Sequence, residues 1–299
     1  MLNVVIPATD GPPSLAHCLA ALARSDEPHT VEVVREPCGA GPAAARNDGV
    51  ARTAGEIVVF VDSDVEVHPD ALRRLRQRFE ADPQLAAVFG CYDDRPAALQ
   101  TVSRFRNLLH HHVHNGSPGE AQTFWAGLGA IRRDAFDAVG GFDEQRFARP
   151  SIEDVELGMR LHADGRRIAL DPSVQGRHLK RWTLRSMLRT DLAQRGVPWV
   201  VLALERGGAG SALNLSWRHR AAATAALAAV GAFALGRPRA GAAAVVAMIC
   251  SNMSFYVLLR RQGGTRLALA GVPLHLLHHL TAVLSVPLGV AAWARGVNR

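Results

Sequence analysis

A chain of 299 residues that is 48% hydrophobic is long enough for one large domain, or for a domain with a smaller appendage. Its net charge of +7 is almost all arginine, with Lys180 the one lysine; with no zinc finger and no RNA-binding aromatic signature, nucleic acid is not an expected partner. Four cysteines without a C-x-x-C pair argue against a disulfide framework and read as reduced thiols.

The start, Met1-Leu2-Asn3-Val4-Val5-Ile6-Pro7, runs straight into a strand over 4–6 and lacks a basic, long apolar leader, so this front part is expected in the cytosol. A helix over 14–23 follows, with Leu15, Leu19 and Leu22 on one face, then a strand over 31–34. A Gly/Pro/Ala loop over 38–42 leads to a helix over 43–53. Ile57-Val58-Val59-Phe60-Val61 reads as a buried strand, followed by a helix over 69–81 and a strand over 86–89. Such alternation predicts an α/β fold, a mostly parallel sheet with helices on both faces. Residues 96–180 are less regular. A helix is expected over 152–163, with Ser151 as a candidate N-cap and Gly165 as its C′ glycine.

Beyond residue 180 the character changes. Between Arg177 and Arg220 nine Lys/Arg face only Asp191 and Glu205. Arg181, Arg185 and Arg189 repeat every four residues beside Leu184, Leu188 and Leu192, the pattern of a helix lying on a membrane surface. Apolar stretches then cover 221–235, 240–259 and 267–293. The last two are long enough to cross a bilayer; the first is short and spans only by recruiting 213–217. The competing reading is a soluble helical bundle. The expected organisation is therefore a catalytic domain over 1–180, an amphipathic juxtamembrane region over 181–220, and two or three transmembrane helices over 221–299.

The chemistry begins at Asp62-Ser63-Asp64. Residues i and i+2 of a strand point the same way, so Asp62 and Asp64 project together from its end. Paired carboxylates at the carboxyl edge of an α/β sheet suit a hard cation that also holds phosphate. A turn is the bland alternative. Pro7-Ala8-Thr9-Asp10-Gly11 lies at the end of the first strand, and Arg46 early in the helix before the triplet, placed for a base or a phosphate. Downstream come Trp125-Ala126-Gly127, where glycine beside an aromatic permits close approach to a flat ligand, then Gly140-Gly141-Phe142-Asp143 and Glu153-Asp154. Asp154 falls off the core face of its helix, and capping with Ser151 accounts for it as well as catalysis does. The histidines 110, 111, 112 and 114 have no H-E-x-x-H partner and are expected to face an acceptor. His275 and His279 share a face inside the last apolar stretch.

In this order, Val4-Val5-Ile6-Pro7, Ala45-Arg46-Asn47, Phe60-Val61-Asp62-Ser63-Asp64, Gly140-Gly141-Phe142-Asp143 and Glu153-Asp154 resemble the motifs of family 2 glycosyltransferases of the GT-A (Rossmann-like) fold, over residues 2–200. The resemblance, taken with the apolar C-terminal stretches and the leaderless front, implies a membrane-bound enzyme on the inner (cytoplasmic) membrane, its catalytic domain facing the cytoplasm. It would move a sugar from a nucleotide-diphospho-sugar, with UDP as the expected nucleotide, to a lipid or membrane-associated glycan, inverting the anomeric carbon. It also implies a divalent cation, Mn²⁺ or Mg²⁺. By resemblance, Asp64 and His178 would hold the cation, Asp154 with Glu153 beside it would deprotonate the acceptor, and Asp62 would face the nucleoside. Pro7, Thr9, Glu36, Arg46, Ser63, Trp125, Gly127, Gly141, Lys180 and Arg181 complete the donor set. A surface histidine is the alternative for His178. Two departures stand out: the second strand ends Arg35-Glu36-Pro37 where the family has acidic residues before Gly-Ser, and Gln194-Arg195-Gly196-Val197-Pro198-Trp199 only echoes the Q-x-x-R-W of processive enzymes. The rival readings are a sugar nucleotidyltransferase, opposed by the absence of a Gly-rich, Arg-containing loop after the first strand, and a non-catalytic membrane partner that keeps the fold.

Overall fold

The structure is a computed structural model that describes residues 1–206 and 217–296. The chain divides into two compact units. One comprises Met1–Ala97 and His114–Lys180, the other Ala98–Val113 and Arg181–Arg299.

The first unit is an α/β domain. In chain order it has β1 (Leu2–Pro7), α1 (Leu15–Leu22), β2 (His29–Val34), α2 (Pro42–Ala51), β3 (Ile57–Val61), β4 (Val65–Val67), α3 (Ala71–Ala81) and β5 (Leu85–Tyr92). The helix α4 (Thr101–Asn115) begins in the second unit and ends in the first, and β6 (Gly119–Ala121), β7 (Leu128–Arg132), α5 (Arg133–Ala138), α6 (Glu153–Ala163) and β8 (Arg167–His178) follow. The sheet order is β2-β1-β3-β7-β5-β8-β4, with β6 also on β8. β1 pairs in parallel with β2 and β3, and β5 with β8. β7 runs antiparallel between β3 and β5, and β4 and β6 run antiparallel to β8.

The sheet is thus GT-A-like and mixed, with a parallel core. β3 and β5 are buried along almost their whole length, so their sequences are unbroken apolar runs with no alternation. α3 buries Leu72, Leu75 and Phe79 on one stripe. The aromatic core of the domain sets Phe60 against Phe124, Phe136 and Phe142, at centroid distances of 6.3, 5.9 and 5.2 Å. α6 closes the carboxyl edge. A Cβ on its Gly158 would stand 2.1 Å from the Phe124 backbone nitrogen, so glycine is what lets the helix lie against the 123–126 segment. Gly165, at φ +77°, ends that helix as the sequence predicts. The expected cap differs: Ile152, not Ser151, is the N-cap, and its side chain makes no capping hydrogen bond.

The second unit is helical: the first part of α4, α7 (Leu184–Arg189), a π-helical segment Thr190–Gly196, α8 (Val197–Glu205), α9 (Trp217–Ala234), α10 (Pro238–Ser251) and α11 (Met253–Ala294). Its core gathers Phe105, Leu108, Met187, Phe255, Leu259 and Leu267. A Thr183–Ser186 capping box starts α7 after Arg181, so Arg181 falls off the cationic stripe and Arg185 and Arg189 remain on it, both exposed.

The apolar stretches are cut differently from expectation. The one expected over 240–259 breaks at Asn252, whose side-chain amide donates to the Met248 carbonyl. That leaves α10 about 21 Å long, short of a bilayer's apolar core. α11 is itself broken at Gly264 (φ +69°, ψ −175°), and the piece after it runs about 45 Å. Among the described residues, α11 is the one helix long and apolar enough to cross a membrane. The recruitment of 213–217 by the first stretch falls on 213–216, outside the described residues. Among the described residues, large apolar side chains that face outward fall almost all in this unit, Trp217, Phe233, Leu235 and Leu269 among them; only Met1 and Val31 belong to the first.

Candidate active site

Three parallel strands end at one edge of the first unit, and their loops are laced together. The Thr9 hydroxyl donates to the Ala40 carbonyl (2.5 Å) and its carbonyl accepts from Gly39 N–H (3.0 Å). Glu36, exposed in the same loop, accepts from Cys38 N–H at 3.0 Å, and Pro7 is the last residue of β1. β3 delivers Asp62, whose N–H donates to the Gly127 carbonyl at 3.0 Å. Ser63 and Asp64 follow, half-buried, and the Asp64 carbonyl accepts from Leu179 N–H at 2.8 Å.

Arg46 sits at the centre, only 4% exposed. One terminal nitrogen donates to Asp62 Oδ1 at 2.7 Å and the other to Glu153 Oε1 at 3.0 Å. Its guanidinium also lies 5.4 Å from the Phe142 ring centroid. Burial alone would depress its pKa, but Asp62, Glu153 and Asp154 raise it above the ordinary value, so the cation is held firmly. Asp62 is the reverse case. Burial raises its carboxyl, Arg46 lowers it, and the like charges of Asp64 and Glu153 help leave it above the usual carboxylate range. Arg46 therefore faces two acids of the protein itself.

Glu153 is 5% exposed; besides Arg46 it accepts from Ser151 N–H at 2.9 Å. Asp154, next along α6, is half-buried. Its Oδ2 accepts from Ala126 N–H (3.1 Å) and its Oδ1 from Val155 N–H (2.8 Å). The Trp125-Ala126-Gly127 segment thus steadies both Asp62 and Asp154. A Cβ on Gly127 would lie 2.4 Å from the Trp125 ring, so the close approach this glycine permits is to the protein's own indole.

On the other side of the triplet, His178 Nε2 lies 3.4 Å from Asp64 Oδ2, with His178 only 5% exposed. Burial raises the Asp64 carboxyl, but the hydrogen bond and charge of His178 and the charge of Lys180 bring it below the ordinary range. Among the described residues no group of three His, Cys, Asp or Glu could hold a metal on its own. One carboxylate facing one imidazole fits a cation whose remaining ligands are phosphate oxygens of a substrate. Lys180 is exposed just past β8.

Gly141 lies against Asn47, where a Cβ would stand 2.9 Å from the Asn47 Oδ1. At φ +68° it follows α5, and its carbonyl accepts from Arg160 at 2.7 Å. Arg181 is the first residue after the break into the second unit. Cys18, beneath the triplet with its thiol 3.7 Å from the Asp62 carbonyl, is pushed up to about 12 by burial and by Asp62, Asp64 and Glu66, so it is no thiolate nucleophile. Two further contributors lie outside the expected site set. Asn47 pins the Phe142 backbone at both N–H and C=O, each at 2.9 Å. Tyr92, the last residue of an apolar strand, stacks on His178. The Ala45-Arg46-Asn47 motif signalled the first; nothing signalled the second.

The sheet and its acidic carboxyl edge define a GT-A-like α/β domain. The glycosyl transferase family 2 model matches residues 5–140, which include Arg46, Asp62, Asp64, Trp125 and Gly127 and stop short of Asp154 and His178. A pre-mycofactocin glycosyltransferase of Mycobacterium tuberculosis is 31% identical over 196 residues, 63% of this chain and 38% of that protein. A beta-monoglucosyldiacylglycerol synthase of Synechocystis is 32% identical over 143 residues, 44% of this chain and 28% of that protein. The chain thus spans less than two fifths of the length of these curated relatives. Among solved structures, a mannosyltransferase from Pyrobaculum calidifontis in complex with GDP-Man and Mn²⁺ is 16% identical with a TM-score of 0.49, covering 95% of this chain and 86% of that one. S. aureus TarS 1–349 in complex with UDP-GlcNAc is 15% identical with a TM-score of 0.46, covering 99% and 92%. The first unit is a family 2 glycosyltransferase domain.

Proposed function

We propose that the protein is a membrane-bound inverting glycosyltransferase that moves a sugar from a nucleotide-diphospho-sugar, with UDP the expected nucleotide, to a lipid or membrane-associated glycan. The observation that carries this reading is Arg46 bonded at once to Asp62 and Glu153. It draws the donor-side acid and the start of the helix bearing Asp154 to one point, though they lie 91 residues apart in the sequence.

In this reading Asp62 faces the nucleoside, with Pro7, Thr9 and Glu36 on the neighbouring strand ends. Asp154 takes the proton of the acceptor hydroxyl as that oxygen bonds to the anomeric carbon from the face opposite the nucleotide. The bond from that carbon to the diphosphate oxygen breaks, its electrons leave with the nucleoside diphosphate, and a single displacement inverts the centre. Glu153 has both oxygens engaged, by Arg46 and by Ser151 N–H, so it positions and does not abstract. A divalent cation held by Asp64 and His178, Mn²⁺ or Mg²⁺, would supply positive charge for the departing diphosphate. Lys180 adds its own.

The membrane part rests on α11, on the outward apolar side chains of the helical unit, and on the exposed arginines of α7. A lipid acceptor is in keeping with one relative's name, since monoglucosyldiacylglycerol is a glycolipid. The placement is the inner membrane with the catalytic unit on the cytoplasmic side.

Purified full-length protein is expected to release UDP from a UDP-sugar when Mn²⁺ is present and to stop when the metal is chelated. Release of pyrophosphate from a nucleoside triphosphate and a sugar phosphate would replace this reading with a nucleotidyltransferase. Expressed protein is also expected in the membrane fraction after high-salt and alkaline washes, entering solution only with detergent. Recovery in the wash would confine the reading to a soluble transferase.

A further inference from the structure

One contact at the site has no part in the displacement. Tyr92 ends β5 and pairs with Gly176 of β8, two residues before His178 and so on the same face of that strand. The Tyr92 and His178 rings are stacked, with centroids 4.1 Å apart and planes within 8°. Tyr92 also meets Trp125 edge to face, at 4.9 Å and 86°. Trp125 in turn meets His114 edge to face at 5.3 Å, and His114 Nδ1 is 3.2 Å from the Gly90 carbonyl. Tyr92 is 7% exposed and Trp125 9%, so neither ring has room to turn.

An imidazole at the end of a strand is free to rotate about two side-chain bonds, and a ligand nitrogen is useful only in one setting. Partners that orient a ligand histidine usually do so by hydrogen bonding to its second nitrogen. A flat aromatic face lying along the ring adds a second restraint, and His178 has one in Tyr92. We propose that Tyr92 is a positioning residue: its ring holds the His178 imidazole with Nε2 toward Asp64. Its contact with Trp125 ties that setting to the Ala126 N–H that holds Asp154. The donor and acceptor halves of the site then share one aromatic brace. This inference rests on the assignment of Asp64 and His178 to a cation.

The test is Mn²⁺ binding to the full-length protein in saturating UDP, with a protein-free UDP control, read by the electron paramagnetic resonance of free Mn²⁺, so it needs no sugar donor and no turnover. Tyr92→Phe keeps the flat face, whereas Tyr92→Met and Tyr92→Leu keep apolar bulk without it. The dissociation constant is expected to rise about tenfold or more in a folded Met or Leu variant and to stay within about twofold in Tyr92→Phe. In a His178→Ala background, which itself weakens binding, Tyr92→Met is expected to add no more than about a further twofold, because the brace acts through His178. A folded Met or Leu variant with wild-type affinity, or a full additive loss in the His178→Ala background, overturns the role of Tyr92 alone. A wild-type protein that binds no Mn²⁺ overturns the cation assignment and this inference with it, a result seen before any substitution is made. Should neither non-aromatic variant fold, the wild-type His178 ring protons decide. Lying over the Tyr92 face, they are expected to be shifted upfield by its ring current, and unshifted resonances overturn the stack as a clamp.

Discussion

Asp154→Asn is expected to lower transfer by about 10²–10⁴-fold, the usual contribution of a positioned general base, while leaving nucleotide binding largely intact. The asymmetry follows from the two halves of the site. Asp154 is held through Ala126 N–H and Val155 N–H, whereas Asp62 is held by Arg46. The amide keeps one oxygen, so one of those two N–H groups loses its acceptor, at a cost of about 1–3 kcal/mol if it stays dry. Thermal melting therefore belongs beside the kinetics. The discriminating measurement is UDP titration in Mn²⁺ against single-turnover transfer. Near-wild-type transfer by the variant would remove Asp154 as the base. Equal loss of binding and transfer would move it to the donor side.

Much of this edge was legible in the sequence, for identifiable reasons. An unbroken apolar run marked β3 as buried, but the strand ends at Val61, and Asp62-Ser63-Asp64 form a turn closed by Val65 N–H to the Asp62 carbonyl, so the strand period of two does not set where the two acids point. Helices with an apolar stripe, such as α3, were found to within about two residues. β7 was not found, because Leu-Gly-Ala-Ile-Arg carries a glycine mid-strand and pairs antiparallel between strands far away in sequence. Its insertion adds the antiparallel strand that makes the mostly parallel sheet a mixed one. β4 and β6 are three residues each, too short for any period to register.

In the helical unit hydropathy located the apolar residues but not the breaks. Asn252 and Gly264 each stop a helix, one by side-chain bonding to the preceding turn and the other by a left-handed backbone. Composition averaged over twenty residues cannot see either. Tyr92 is the extreme case: it reads as one more apolar strand residue, and its meaning appears only when β8 brings His178 alongside. Arg46 is subtler. α2 reads Pro-Ala-Ala-Ala-Arg-Asn-Asp-Gly-Val-Ala, with no bulky stripe to say which face is inward. An arginine there looks like a surface residue waiting for phosphate until Asp62 and Glu153 are seen to close around it.

That burial gives Arg46→Met the largest expected effect on stability. Removing one partner of a buried ion pair leaves the other charge uncompensated and costs about 3–5 kcal/mol. Here the guanidinium serves two carboxylates, so the upper end applies, and the melting temperature of the catalytic unit is expected to fall on the order of 10 °C. The loss should also depend on pH with a definite sign. Asp62 already titrates above the usual carboxylate range because burial and its acidic neighbours outweigh Arg46. Without Arg46 it rises further, and the folded state binds a proton that the unfolded state has released. Stability is then lost as pH rises above the unfolded carboxylate value of about 4 and regained as pH falls. The gap between Arg46→Met and wild type should therefore narrow from pH 7 to pH 5. Neutralising one acid as well, in Arg46→Met/Glu153→Gln, should recover part of the loss, since the two sites share one charge network. Melting curves at the two pH values would decide it: a gap that is small, or that widens on acidification, would show that Arg46 is not the counter-charge on which Asp62 and Glu153 depend.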